Sequence, residues 1–239
     1  SLIQRKLVNL VSKDNQKAIK KEETNNLTER RLATNRQANA EASQLIRIGP
    51  YTYEEYIERA RRFHGYPAPG MIVGGFMVAE AIRHLPPDIL FDAIAETSWC
   101  LPDAVQLLTP CTAGNGWLKI FDLGIFGVSL YDKTSGRGVR VSLDGQRVNP
   151  YEEIAAWFLK RKPKQEQDPE LLAKQIREAG ATICSVEKVR VHDRFLEKRS
   201  KGEVGPCPVC SAVYPLKHGS KCRLCQGGTP YRSRGEAEV

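Results

Sequence analysis

Residues 96–116 read ETSWCLPDAVQLLTPCTAGNG, with two thiols, Cys100 and Cys111, at the two ends of a predicted short helix. Pro102 is tolerated in a first helical turn, and the apolar residues that follow it give the helix one buried face. Because exposed N–H groups at a helix N-terminus favour a thiolate, Cys100 is a candidate metal ligand or nucleophile. The alternative interpretation is that both cysteines are small buried hydrophobic residues.

Length and composition indicate a globular chain that can bury a sizeable core. The chain has 239 residues, of which 41% are hydrophobic and 27% charged. This length favours one main domain with appendages. No apolar run approaches the roughly 20 residues that a membrane-spanning helix needs, and no signal-peptide pattern is present, so a cytoplasmic location is expected.

The formal charge of +8 is unevenly distributed along the chain. Residues 1–48 carry a net charge of +5, residues 49–147 carry −2, and residues 148–239 carry +5. Basic character therefore lies in the flanks, which makes the central part a poor candidate for binding phosphate backbones. The first 48 residues are predicted to be a polar N-terminal extension, with a weak amphipathic helix over 1–13 and little to bury after it. This extension either has a docking or targeting role or is dispensable for the core domain.

Two helices are predicted before residues 96–116, which we call the opening stretch. Thr52 and Glu55 form a capping-box pattern in front of apolar residues at helical spacing. The loop FHGYPAPG, residues 63–70, contains two prolines that forbid helix continuation. The next segment, residues 71–85, is apolar nearly all round, which predicts a buried helix.

Strands are predicted on the C-terminal side of the second helix. A short strand at 92–96 leads into the opening stretch, and the segments 117–124, 125–133 and 138–143 are interpreted as three consecutive strands of an antiparallel meander. Further along, Asn149-Pro150 introduces a helix, Asp168 caps another that Gly180 ends, and residues 181–191 alternate as a strand does. The predicted fold class is α+β, with helices packed on a mixed, largely antiparallel sheet and a small C-terminal zinc-ribbon domain.

The most specific motif lies near the C-terminus. Cys207-x2-Cys210 and Cys222-x2-Cys225 are separated by 11 residues, the spacing of two zinc knuckles. Four thiolates complete a tetrahedral site with no open position, so a structural zinc ion is expected rather than a catalytic one. A segment this small lacks a core of its own, and metal binding would supply much of its folding free energy.

Three stretches taken together resemble the FmdE family, which comprises the FmdE component of formylmethanofuran dehydrogenase and its accessory-type relatives. They are FHGYPAPG at 63–70, the opening stretch at 96–116, and LYDKTSGRGVRV at 130–141. The resemblance covers about residues 50–145 and implies an α+β core, a homodimer, and a metal- and thiol-lined pocket between the first two stretches. The domain boundaries that follow are 1–48 for the extension, 49–195 for the core and 200–232 for the zinc ribbon.

The resemblance also implies which residues line the core pocket. Many relatives have His-Gly-His-x-Cys-Pro-Gly in the first loop, whereas this chain has Tyr66 in place of the second His and Ala68 in place of the Cys. His64, Cys100 and Cys111 would remain as three ligands for a second metal with an open position. The predicted pocket residues are His64, Tyr66, Cys100, Asp103, Cys111 and Thr112.

Three functions follow as hypotheses. The first, implied by the resemblance, is a metal-binding accessory or subunit-like protein of molybdenum- or tungsten-dependent C1 metabolism, with a molybdopterin enzyme as partner. The second is a stand-alone thiol- or metal-dependent enzyme in which Cys100 is nucleophile or ligand, His64 the base and Asp103 the orienting residue. The third is nucleic-acid binding through the zinc ribbon and the basic flanks.

Overall fold

The computed structural model describes residues 46–197, 200 and 202–231. The predicted extension therefore lies outside the described residues up to position 45, whereas Ile48 is fully buried in the core. The chain divides into two compact units, with the division between His192 and Asp193. None of the helices in the described part of the chain is both long enough and apolar enough to span a bilayer.

The first unit begins with a hairpin that leads directly into a helix. Strands β1 (Arg47–Ile48) and β2 (Tyr51–Thr52) pair in antiparallel fashion, and α1 (Tyr53–His64) follows at once. The predicted capping box is confirmed, because Thr52 Oγ1 accepts from Glu55 N at 3.3 Å and Glu55 Oε2 accepts from Thr52 N at 2.8 Å. Gly65 ends the helix with a φ of 90°, a conformation that glycine adopts without steric cost.

The second helix, α2 (Pro69–Arg83), is the centre of the core, as its all-round apolar sequence predicts. Its two adjacent glycines allow neighbours to approach closely. At Gly75 a Cβ atom would lie 2.5 Å from the ring of Tyr56, whose hydroxyl donates to Met71 O at 2.8 Å. At Gly74 a Cβ atom would lie 3.0 Å from Ala104 Cβ. The small residues therefore set how closely α2 packs against the helices on either side.

A mixed sheet of five strands packs against α2, with the strand order β4-β3-β5-β6-β7. The β3–β4 pair is parallel and the other three pairs are antiparallel, which confirms the predicted mixed, largely antiparallel sheet. The strands are β3 (Phe91–Ala95), β4 (Leu118–Ile120), β5 (Gly127–Asp132), β6 (Arg137–Leu143) and β7 (Cys184–Arg190).

The predicted three-strand meander is wrong at its first strand. β5 and β6 are antiparallel neighbours as expected, but β4 pairs with β3 and not with β5. The reason is the helix α3 (Leu101–Leu108), which lies between β3 and β4 and returns the chain to run parallel to β3. Residues 121–126 then carry the chain past β3 to its other side, where β5 forms.

Two further helices complete the first unit. α4 (Glu152–Phe158) and α5 (Pro169–Ala179) lie at the predicted positions and pack on each other. Asp168 caps α5 by accepting hydrogen bonds from the N–H groups of Glu170 and Leu171, each at 3.0 Å. Gly180 follows α5 with a φ of 52°, as its predicted role at the helix end requires.

The second unit is organised around a short hairpin. Strands β8 (Val204–Pro206) and β9 (Val213–Pro215) pair in antiparallel fashion, and the first Cys-x2-Cys segment forms the turn between them. Its small buried cluster consists of Cys207, Tyr214 and Cys222, with Cys225 packed against it. A core of this size stabilises little by itself, which is consistent with stabilisation by a metal ion.

Candidate functional site

The four C-terminal cysteines form a metal-binding cluster. The sulfurs of Cys207, Cys210, Cys222 and Cys225 all lie within 4.8 Å of one another. Cys210 Sγ and Cys222 Sγ are 3.6 Å apart, close to the roughly 3.8 Å that two sulfurs take on a tetrahedral zinc ion with bonds of about 2.3 Å. The donor set is four thiols and no carboxylate, which fits zinc.

Main-chain hydrogen bonds at Cys207 favour its thiolate form and hold the first Cys-x2-Cys turn in place. Cys222 N donates to Cys207 Sγ at 3.4 Å, and this hydrogen bond is the main reason that the pKa of Cys207 is lowered to about 6. Cys207 N donates to Ala212 O at 2.9 Å and Ser211 N to Cys207 O at 2.8 Å, so the turn is closed on both sides of the first thiol. The first knuckle therefore holds its sulfurs in place through main-chain contacts.

A second group of chemically active side chains lies in the first unit, where the end of α1 meets the start of α3. His64 Nδ1 is 2.7 Å from Asp103 Oδ2, and His64 Nε2 is 3.9 Å from Cys100 Sγ. We call His64, Cys100 and Asp103 the core cluster. A carboxylate on one ring nitrogen fixes the histidine and directs the other nitrogen at the thiol.

Cys100 has a strained backbone. Its φ of 44° and ψ of −44° place it at the centre of a tight turn in which Leu101 N donates to Trp99 O, directly before α3. Turns of this positive-φ kind are rare for residues with a side chain. Such strain occurs preferentially at functional sites, where the surrounding structure maintains it.

The environment of the Cys100 thiol is half-buried and close to a second helix. A Cβ atom on Gly70, in the first turn of α2, would lie 3.0 Å from both Cβ and Sγ of Cys100. Burial, and to a smaller extent the Asp103 carboxylate, raises the pKa of the Cys100 thiol. The resting side chain is therefore the neutral thiol, and a metal ion or a base would have to remove its proton.

The structure brings together only part of the predicted pocket. Tyr66 lies beside the core cluster, with its ring centroid 5.5 Å from that of His64, and the residue is 60% exposed. Cys111 is fully buried, and its Sγ donates to Phe91 O at 3.5 Å, at the start of β3. Thr112 takes part in the turn after α3, where its hydroxyl accepts from Asn115 N at 3.1 Å.

His64, Cys100 and Cys111 do not form a three-ligand group. Among the described residues, only the four C-terminal cysteines make up a group of three or more His, Cys, Asp or Glu side chains close enough to share an ion. The environment of Cys111 fits the alternative interpretation of this cysteine as a small buried hydrophobic residue. Cys184, also in the first unit, is buried as well, and burial raises its pKa to about 12.

Gln106 matches the resembled family's motif together with Cys100 and Asp103 but was not among the predicted pocket residues, and the structure places it at the core cluster. Gln106 Nε2 donates to Asp103 Oδ1 at 3.2 Å, so the carboxylate is held on both of its oxygens. Gln106 follows Asp103 by three residues on a helix, a spacing that places two side chains on one face. That spacing was visible in the sequence, but the contact between Asp103 and His64 that gives it meaning was not.

Two surface clefts of the first unit lie away from the core cluster. One, of about 660 Å³, follows the outer face of α1 and reaches Leu107 on α3. The other, of about 570 Å³, lies between the end of α2 and strands β6 and β7. Neither is lined by His64 or Cys100.

Two family models match this chain, one in each of its two units. The FmdE model, described as molybdenum formylmethanofuran dehydrogenase operon, matches residues 63–193, and the FmdE treble clef zinc finger model matches residues 198–232. The four-cysteine segment thus corresponds to a zinc finger of the treble clef type. The described hairpin and the second Cys-x2-Cys turn supply its thiols.

Two similar proteins provide further comparison. A crystal structure of a tungsten formylmethanofuran dehydrogenase FmdE-like protein from Syntrophus aciditrophicus is 54% identical, with a TM-score of 0.72, and the match covers 78% of this chain and 98% of that one. A probable S-adenosyl-L-methionine-binding protein from Archaeoglobus fulgidus is 30% identical over 182 residues. That match covers 70% of this chain, and this chain spans 46% of the length of the Archaeoglobus protein.

Proposed function

This chain belongs to the FmdE family, and on that premise we propose that it is a metal-binding accessory or subunit-like protein of molybdenum- or tungsten-dependent C1 metabolism. Residues 49–195 form the core domain that carries a Cys/His pocket, and residues 200–232 form a zinc domain whose role is structural. The protein acts in the cytoplasm as a homodimer and docks on a molybdopterin enzyme. The family membership and the similarity to the Syntrophus protein support this assignment.

The observation that carries the proposal is the contact chain from Asp103 through His64 to Cys100. A metal-binding histidine usually donates its second ring N–H to a carboxylate or similar acceptor. Here His64 Nδ1 lies 2.7 Å from Asp103 Oδ2, and His64 Nε2 lies 3.9 Å from Cys100 Sγ. Zinc and similar borderline metals accept both imidazole nitrogen and thiolate sulfur. His64 and Cys100 would be two ligands, and the thiol would lose its proton when the metal binds.

Two ligands leave coordination positions open, and the surroundings of the cluster indicate how they would be filled. Tyr66 follows His64 by two residues, Trp99 directly precedes Cys100, and these two residues are 60% and 75% exposed. Aromatic side chains of this size are enriched where protein surfaces associate. A partner chain or a bound small molecule would cover them and supply the remaining ligands.

Metal analysis tests the proposal. We expect about two metal ions per chain in the wild-type protein, and loss of one of them in Cys100→Ala or His64→Ala. Cys222→Ser should instead remove the zinc of the C-terminal domain and leave the other ion in place. A wild-type content of one zinc, unchanged in Cys100→Ala, would exclude the core metal site.

Partner and ligand binding give a second test. Affinity capture from native cells should recover a molybdopterin enzyme with the wild-type chain, and its absence would count against the accessory role. The name of the Archaeoglobus relative makes S-adenosylmethionine a ligand to titrate by calorimetry. Heat of binding that disappears in Cys100→Ala would place that ligand at the core cluster.

A second candidate function, a stand-alone thiol-dependent enzyme, is favoured by the strained turn at Cys100. In such an enzyme His64 Nε2 would accept the thiol proton while Cys100 Sγ forms a bond to an electrophilic carbon of the substrate. The proton would then pass from His64 to the leaving group as the bond to that group breaks. Alkylation by iodoacetamide, followed by mass spectrometry, should modify Cys100 more slowly in His64→Ala than in the wild type. Equal rates in the two proteins would remove the evidence for a catalytic base.

A further inference from the structure

Both the nitrogen and the oxygen of the Gln106 side-chain amide form hydrogen bonds. Its Nε2 donates to Asp103 Oδ1 at 3.2 Å, and its Oε1 accepts from Ala113 N at 3.2 Å. The main-chain N–H of Ala113 can only donate, so the atom facing it must be the amide oxygen. The amide nitrogen is thereby directed at Asp103, and the orientation of the Gln106 side chain is determined by its partners.

The partner of Gln106 on the main chain is itself held by a side chain. Asn115 Oδ1 accepts from the N–H groups of Thr112 and Trp117, each at 3.0 Å, and Asn115 Nδ2 donates to Pro110 O at 2.8 Å. These bonds close the turn that contains Ala113. The N–H group that orients Gln106 therefore has a fixed position relative to α3.

Asp103 connects Gln106 to His64 through its two carboxylate oxygens. One of its oxygens accepts from Gln106 and the other lies 2.7 Å from His64 Nδ1, so rotation of the carboxylate would break both contacts. A carboxylate accepts a hydrogen bond only from a protonated nitrogen, and a neutral imidazole carries one N–H group. With the proton on Nδ1, the lone pair of Nε2 faces Cys100 Sγ, 3.9 Å away.

We propose that Gln106 is a positioning residue of the core cluster: by holding Asp103 it fixes His64 in the tautomer whose Nε2 lone pair faces Cys100. Gln106 contacts Asp103 and the N–H group of Ala113, and it acts on His64 through Asp103. The inference rests on the proposed function where it treats His64 and Cys100 as the site. Both a metal ion and a thiol proton require the same unprotonated Nε2, so Gln106 serves either use of the cluster.

The tautomer of His64 can be read directly. Long-range ¹H–¹⁵N correlation spectra of the ¹⁵N-labelled full-length chain, recorded after chelation at pH about 8.5, distinguish a protonated from an unprotonated ring nitrogen. The same spectra show whether the His64 ring is neutral, because a charged ring has both nitrogens protonated. The His64 signals are identified among the four histidines by their loss in His64→Gln. We expect the wild-type protein to show the Nδ1–H tautomer.

Two substitutions of Gln106 test the assignment. Gln106→Leu removes both bonds, and the Nε2–H form of His64 should become the major neutral tautomer. Gln106→Glu keeps an acceptor for Ala113 N but replaces the donor to Asp103 with a second carboxylate, and it should disturb the tautomer in the same direction. Gln106→Glu remains informative if Gln106→Leu folds poorly, because the turn keeps its anchor.

Leu107→Ala is the matched control, since Leu107 is the next residue of the same helix and lies outside these contacts. It should keep the wild-type tautomer. An unchanged Nδ1–H tautomer in both Gln106 variants would overturn the proposal and leave Gln106 as a structural link between α3 and the following turn. The readout needs no metal or partner, so a failure of the proposed function in metal analysis would not be confused with a failure here.

Discussion

His64 and Asp103 lie 39 residues apart in the sequence, yet His64 Nδ1 and Asp103 Oδ2 are 2.7 Å apart. The contact joins the last residue of α1 to the first turn of α3. Both helices pack on α2, so the core cluster depends on how three helices are positioned around one apolar centre. Substitutions at the cluster and in its supporting core should therefore have separable effects.

Asp103→Asn should weaken metal binding at the proposed core site without unfolding the protein. Asparagine retains an acceptor oxygen for His64 but carries no charge, so His64 would be a poorer ligand for the proposed metal ion. Loss of such a supporting carboxylate typically lowers metal affinity about 10–100-fold. Zinc titration against a chromophoric competitor measures the change, with Asp88→Asn, at an exposed position away from these contacts, as control. Unchanged affinity in Asp103→Asn would contradict a supporting role for the carboxylate.

Two glycines of α2 offer a matched pair of substitutions. Gly70→Ala would place a Cβ atom 3.0 Å from Cys100 Sγ, whereas Gly74→Ala would place one 3.0 Å from Ala104 Cβ. Because both contacts are too short, each variant should lose about 1–3 kcal/mol of unfolding free energy in urea. Only Gly70→Ala should also change the rate of alkylation of Cys100. Equal alkylation rates in the two variants would show that Gly70 does not determine the position of the thiol.

Breaking the ion pair between Glu96 and Arg140 should lower the free energy of unfolding. Arg140 donates to both carboxylate oxygens of Glu96 at 2.6 Å, and the Glu96 side chain is 8% exposed. Arg140→Met would leave a buried carboxylate without its partner and should destabilise the protein by about 3–5 kcal/mol. The exposed pair of Lys174 and Glu178 is the control, and Lys174→Met should cost less than about 1 kcal/mol. Urea unfolding at neutral pH measures both, and similar losses would contradict this account.

Cys184 should make the protein sensitive to alkaline pH. Burial raises the pKa of its thiol from 9.0 to about 12. Since the folded-state pKa lies above the unfolded one, the neutral thiol favours the folded state below pH 9, and this contribution is lost as pH rises from about 9 to 12. The loss is about 1.4 kcal/mol for each pH unit in that window. Urea unfolding of Cys184→Ala from pH 8 to 11 should show a smaller decline than the wild type, and parallel curves would contradict the assignment.

Local patterns in the sequence predicted the local structure of this protein. The capping box at Thr52, the cap at Asp168 and the end of α5 at Gly180 each depend on a few neighbouring residues, and the structure confirms them. The Cys-x2-Cys pairs predicted the C-terminal metal cluster for the same reason, because each pair folds as one tight turn.

The sheet order and the core cluster depend on distant residues and were predicted only in part. Nothing in the sequence of β4 indicates that it pairs with β3 rather than β5, because that choice depends on where α3 returns the chain. The sequence also drew attention to both cysteines of the opening stretch. Only Cys100 faces His64, whereas Cys111 lies beside Phe91. Which thiol meets the histidine depends on how α1 and α3 pack on α2.

The turn at Cys100 should lower the stability of the folded protein, and this effect can be measured before any ligand is known. A residue with a side chain held at a φ of 44° costs the native state on the order of 1–3 kcal/mol. Glycine accepts positive φ readily, so a chain with glycine at this position would lack the thiol and yet melt at a higher temperature. A protein that keeps cysteine there has a lower melting temperature and retains the thiol. The difference between the two melting curves would measure how much stability the molecule gives up to present that sulfur atom.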